Sequence, residues 1–414
     1  MQKKCILKRS NIFLISIISL ITIGEISILF YTHSSSFGNK RSIEYYARKV
    51  IEKCASSTYH PSCYDKEIPK LMDYISMEEA FKVTRIVQKS DPSYAYCHVL
   101  GHNISARETA KDPAKWKDVV ARCPATMCNN GCLHGALMER FQNKSESLSN
   151  EEIEKIEPDL KDVCEPRGRW HPTEIERSMC YHGLGHLHIY ITGADLNKSA
   201  DLCGTIGVKD DGRNYVQTCT EGVFMQIYQP LEPEDFALVK GVTPEKKDLE
   251  SFCLGFAGMR KEACWRESWP LFLKEVQTPE GLATFCSFPK DEVEKRKCYG
   301  TVMNFLTPLF VLEQGDAQKL KTFCSRLPFN RRGECFANSA RRLVQIDPVL
   351  MDKAVGICDM AKTTGEGEKC YEVLTEFATW SFSPGSKAFI SYCNKLPDPW
   401  RSKCKILKTI SRSL

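Results

Sequence analysis

The chain has 414 residues, 42% of them hydrophobic, and a formal net charge of +5. That is length and apolar content enough for a core of two to three average domains. The charge is small for the size, and no Lys/Arg block is long enough for a nucleic-acid footprint, so nucleic acid is not expected as a partner.

Residues 1–11, "MQKKCILKRSN", form a basic tail carrying Lys3, Lys4, Lys8 and Arg9. Residues 12–31, "IFLISIISLITIGEISILFY", follow with Glu25 as their only charge. Twenty residues at about 1.5 Å each match the roughly 30 Å of a bilayer core. Positive charge on the N-terminal side predicts a cytoplasmic tail and a translocated remainder. The expectation is an uncleaved signal anchor, with a cleaved signal peptide as the competing reading. A linker at 32–42 leads into the folded part, placed in the periplasm, at the cell surface or in a secretory lumen. Cysteine usage agrees: of 21 cysteines, Cys5 precedes the membrane segment and twenty remain, an even number that disulfide pairing requires.

Those cysteines recur. Cys63, Cys97, Cys132, Cys180, Cys219, Cys264, Cys298, Cys335, Cys370 and Cys404 are spaced mostly in the mid-thirties. That period belongs to helix–turn–helix repeats stacked into a solenoid. Most have a partner 9 to 16 residues earlier, namely Cys54, Cys123, Cys164, Cys203, Cys253, Cys286, Cys324, Cys358 and Cys393. In "DAQKLKTFCSRLPFNRRGECFANSARRLVQ", Ala317–Leu327 reads as one helix, Pro328 and Gly333 as its break, and Glu334–Gln345 as a second. Cys324 and Cys335 would then face each other across the turn. The two cysteines left over, Cys97 and Cys128, are expected to bridge neighbouring units. The fold expected is all-α: about ten disulfide-clasped hairpins in one curved solenoid, with His-rich units at 43–230 and further clasped units at 231–414. Period and hairpin plan resemble those of Sel1-like and tetratricopeptide repeats, without their Gly/Ala/Tyr consensus.

Aligning the second helices on their opening cysteine isolates the chemistry. Two positions after it stand His134, His182 and Glu221; six positions after it stand Met138, His186, Met225, Asn304 and Arg341. "YCHVLGH" overlays on "CYHGLGH" with Tyr96 in the cysteine slot, which adds His98 and His102. Histidines four apart share one helix face, as in helical zinc sites. Equivalent positions of stacked units line one surface. His98, His102, His134, His182, His186 and Glu221 are therefore the candidate metal ligands. Zn or Fe is the first expectation for imidazoles with a carboxylate, and Cu(I) the further option if Met138 and Met225 ligate. His188 falls off the shared face. Glu108 and Glu139 are candidates for a supporting base.

The chain lacks GxSxG, P-loop and GxGxxG motifs, and paired cysteines leave no thiol nucleophile. Two functions remain. One is a metalloenzyme performing redox or hydrolytic chemistry on a small molecule or peptide on the concave face. The other is a non-catalytic interaction scaffold of stapled repeats in the cell envelope.

Overall fold

The computed structural model describes residues 41–407 apart from 126, 142–146, 169 and 232. The expected membrane anchor at 12–31 lies outside the described residues. Among the described residues no helix is long and apolar enough to cross a membrane. They are helical throughout, with only two isolated β-bridges, Arg167–Trp170 and Val208–Asn214.

The helices pair into ten consecutive hairpins. Their second helices are α1 (His60–Lys70), α2 (His98–Lys111), α3 (Gly131–Phe141), α4 (Glu174–Ile191) and α5 (Val216–Tyr228). The series continues with α6 (Gly258–Glu267), α7 (Glu292–Pro308), α8 (Phe329–Ile346), α9 (Gly367–Ser381) and α10 (Trp400–Ile406). Nine hairpins carry the expected clasp, each with Cα atoms 5.3 to 5.7 Å apart. The tenth, which leads into α2, is tied instead to the next unit by Cys97–Cys128. Each clasp closes a loop of 9 to 16 residues, worth about 3 kcal/mol in the chain-entropy view. Many of the helices are shorter than the ~12 residues needed to persist alone in water. Clasps and stacking against neighbours therefore hold what local propensity does not. Ten disulfides are also the signature of an oxidising, extracytoplasmic compartment.

The turn within "CSRLPFNRRGEC" is shorter than expected. The first helix ends at Arg326 and α8 starts at Phe329, so only Leu327 and Pro328 connect them. Pro328 stands immediately before the helix, where its fixed φ and missing N–H cost nothing. Gly333 lies inside α8 and does not break it.

Second helices α2 to α9 pack in sequence and line one central cavity of about 790 Å³. The array is not an open solenoid, because it comes round on itself. Arg85, in the helix before α2, pairs with the buried Asp347 just after α8. Gln345 of α8 reaches the sulfur of Met179 in α4 at 3.8 Å. Helix α9 packs against α4. The concave surface read from the repeat is thus the wall of a central cavity.

Candidate metal centre

Five histidines cluster here, four of them (His98, His134, His182 and His186) on this wall and His102 packed against His98 and His134. His98 and His102 lie one turn apart on α2, His134 on α3, and His182 and His186 one turn apart on α4. The His134 ring sits between the two pairs. Its centroid is 5.1 and 5.4 Å from His98 and His102, and 6.1 and 5.7 Å from His182 and His186. Within the pairs the separations are 4.6 and 4.8 Å. One nitrogen from each of His98, His102 and His134 lies within 4.8 Å of the others, so these three could hold one metal ion. Ligand nitrogens around a tetrahedral ion, with bonds of about 2.1 Å, stand roughly 3.3 Å apart. Small ring movements would close the difference.

The hydrogen bonds fix which nitrogen faces inward. His98 Nδ1 donates to the carbonyl of Cys128 at 3.3 Å, and its Nε2 faces His102 Nε2 at 3.1 Å. His134 Nε2 donates to the carbonyl of Met179 at 2.8 Å, which leaves its Nδ1 buried without a partner. His186 Nδ1 donates to the amide oxygen of Gln226 at 2.6 Å. His182 bonds the backbone of Thr218, and its Nε2 lies 3.3 Å from Met225 Sδ. Four imidazoles thus each give one N–H to an oxygen and keep a lone pair for the cluster. Oxygen acceptors behind metal-ligating histidines set tautomer and ring orientation in this way. Burial pushes all five imidazoles down, to about 3 for His134 and about 4 for His182; repulsion from neighbouring imidazoles adds to it for His98, His102, His134 and His186, and the charge of Arg342 for His182. They are neutral at pH 7, the form that binds metal.

Glycines make the approach possible. A Cβ on Gly135 would stand 2.2 Å from the carbonyl oxygen of His102, and one on Gly183 would stand 2.4 Å from the His134 ring. Helices α2 and α3 therefore touch backbone to backbone and the backbone of α4 lies against the His134 ring, which brings imidazoles from three units within reach of one another.

The segment before α3 is unusual. Cys128, Asn129 and Asn130 are successive non-glycine residues with φ of 53°, 49° and 58°. Each left-handed residue costs of order 1–2 kcal/mol, and such strain collects at functional sites. Here it aims the Cys128 carbonyl at His98 and the Asn129 side chain at Arg342, which donates to it at 3.0 Å.

Glu221 lines the same cavity, but its carboxylate is held by Arg266 and by Gln217. It is thus tied back from the imidazole cluster. His188 is fully buried away from the others, with Nδ1 3.2 Å from the carbonyl of Ser199 and beside the Cys203–Cys219 disulfide. That trio has metal-like spacing, yet sulfurs bonded to each other are not thiolate donors. Glu108 pairs with Lys111 and Arg122 and is kept low by them. Met225 joins the cluster through His182; Met138 packs against the hydrophobic core.

Sequence reasoning did not single out Asn129, Gln226 or Arg342 as site residues. Arg341 stood in the alignment slot of His186 and was not read as part of the site. Comparison of the chain with family models, with curated proteins and with solved structures yields no match.

Proposed function

We propose that this is an extracytoplasmic metal-binding repeat protein, anchored to the membrane by residues 12–31, whose five-histidine centre borders the central cavity through His98, His134, His182 and His186. The observation that carries the reading is the set of four imidazoles whose outward N–H groups are all taken by oxygens, above all His134 with its buried, unpartnered Nδ1. An orphaned lone pair in a protein interior costs about 1–3 kcal/mol, and a bound cation is its natural partner. The centre faces a cavity of a size that suits a small molecule. A metal held by the three imidazoles of His98, His102 and His134 keeps a position free for water or substrate, which favours hydrolytic or redox chemistry over a closed structural site. With the Glu221 carboxylate tied to Arg266 and the Met225 thioether beside His182, the donors suit zinc or copper better than iron.

The test is metal analysis by mass spectrometry of the oxidised full-length protein after exposure to Zn, Fe and Cu. The reading expects stoichiometric metal that is lost from His134→Ala and from His98→Ala. A folded protein that takes up none of the three ions overturns it.

A further inference from the structure

Arg341 and Arg342 lie next to each other on α8 and both line the histidine cavity. Arg342 is 7% exposed. Its guanidinium donates to the carbonyl of Asn304 and to the side chain of Asn129, both at 3.0 Å, and lies beside the Tyr96 ring. All these partners are neutral. Arg341 has no hydrogen-bond partner among the described residues, and its Nε is buried. The contrast with the rest of the cavity is sharp. Arg266, on the same ring of helices, is held by Glu221 and Glu294. The remaining carboxylates on the wall are Glu267, which faces Arg266, and Glu313 and Glu376, which are exposed and make no ion pair among the described residues.

Two adjacent guanidiniums without a counter-charge are costly in a protein interior, and a cation bound by the histidines would add to the cost. Buried charges are retained where something pairs with them. Burial lowers the affinity of both guanidiniums for their protons, and the charge of Arg342 adds to the effect on Arg341, as expected where the counter-ion is missing. Arg342 is also close enough to His98 and His182 to disfavour their protonation. The arginine pair and the imidazole cluster therefore face one shared space. Elsewhere the wall is aromatic: Trp269 stacks on Phe305 with centroids 4.4 Å apart, and Phe377 and Trp380 line it from α9.

We propose that Arg341 and Arg342 form an oxyanion subsite, and that the cavity takes a small amphipathic acid. Its carboxylate or phosphate is held by the two guanidiniums, and its apolar body lies against the aromatic wall. A planar guanidinium fork suits both oxyanions. The placement of the ligand beside a metal rests on the function proposed above; the anion subsite itself rests on the arginines alone.

The test is calorimetric titration of full-length protein, first stripped with chelator and then metal-loaded, with benzoate, phenyl phosphate and inorganic phosphate. Benzyl alcohol is the uncharged control. The inference expects saturable binding of benzoate or phenyl phosphate at Kd on the order of 1 mM or tighter, no binding of benzyl alcohol, and loss of at least about tenfold in Arg341→Gln. Arg341 has no partner to lose, so this variant is expected to fold with unchanged or raised melting temperature. Arg342→Lys, which keeps the charge and removes the fork, is expected to weaken binding as well. Tighter benzoate identifies a carboxylate ligand, and tighter phenyl phosphate a phosphate ester. No saturable binding by any anion, or binding of undiminished strength in both variants, overturns the inference. Anion binding that depends on Arg341 in protein that takes up no metal would leave the subsite standing and remove only the metal.

Discussion

The guanidinium of Arg342 donates to the side-chain oxygen of Asn129 at 3.0 Å, across 213 positions of sequence. This bond joins the eighth second helix to the loop that opens the third. It ties the closure of the ring to the shape of the histidine cluster, because Asn129 and Cys128 share one left-handed segment and the Cys128 carbonyl orients His98. The Cys97–Cys128 bridge holds that segment from the other side.

A prediction follows for the double variant Cys97→Ser/Cys128→Ser. The bridge spans 31 residues, so its removal is expected to cost about 3–4 kcal/mol by chain entropy. Freed of the bridge, the three left-handed residues can relax and withdraw the carbonyl from His98. Loss of such an oriented acceptor lowers metal affinity by about 10–100-fold. Competition with a chelator and thermal melting check both parts. A variant that melts lower yet binds metal as tightly as the wild type would show that the loop has no part in the site.

Gly183 offers a test that removes no ligand. A Cβ there would press on the His134 ring at 2.4 Å, and α4 cannot retreat without leaving α5, which packs closely behind it. Gly183→Ala is expected to turn the His134 ring and weaken metal binding by about tenfold or more while the fold persists. Gly204 has open space around its Cβ direction. Gly204→Ala in the same protein should leave binding unchanged and raise stability by about 0.5–1 kcal/mol. Equal metal binding in the two variants would refute the close-approach account.

Much of this was legible in the sequence because the repeat is short and its markers are chemically distinctive. Cysteine spacing predicted ten hairpins and their clasps, and even the leftover pairing of Cys97 with Cys128. Aligning the units put His98, His134 and His182 in one slot and His102 and His186 in another, and the packing brings those slots together. The same second slot holds Asn304, Arg341 and Glu376, all of which line the cavity. These could have been read as a continuation of the wall had the array been known to close. Closure was not legible, because it depends on the summed rotation of ten units and on single contacts such as Arg85–Asp347. The diversion of Glu221 was also hidden. Arg266 occupies the equivalent slot of the next unit and captures it, a long-range pairing that periodicity alone cannot forecast.

The histidine cluster makes stability depend on pH even without metal. In the unfolded chain imidazoles take up protons near pH 6.5. In the fold His134 does so only near about 3 and His182 near about 4, because burial opposes their charge. The unfolded state therefore binds more protons between those limits, and stability falls as pH falls from 6.5 towards 4. Melting temperatures of metal-stripped protein should drop across this window, and His134→Gln should flatten the drop. A wild-type profile that is level from pH 7 to 4 would contradict the neutral, buried placement.

Glu267 is expected to behave in the opposite sense. It is buried on the cavity wall with Arg266 3.8 Å away, but Glu221 and Glu294 already bond that guanidinium. A third carboxylate is surplus, and burial raises the Glu267 pKa to about 8. In the unfolded chain it ionises near the ordinary value of 4.5. Its folded form thus holds a proton that its unfolded form releases. The stability this group contributes is complete below pH 4.5 and lost as pH rises to 8, a change of up to about 5 kcal/mol. Glu267→Gln keeps the shape and the hydrogen-bonding amide but cannot ionise. The melting temperature of the variant minus that of the wild type should rise steadily from pH 4.5 to 8 and then level off, since every other titrating group is common to both proteins. A constant difference across that range would mean that Glu267 is ionised in the fold and that Arg266 is balanced by three carboxylates instead of two.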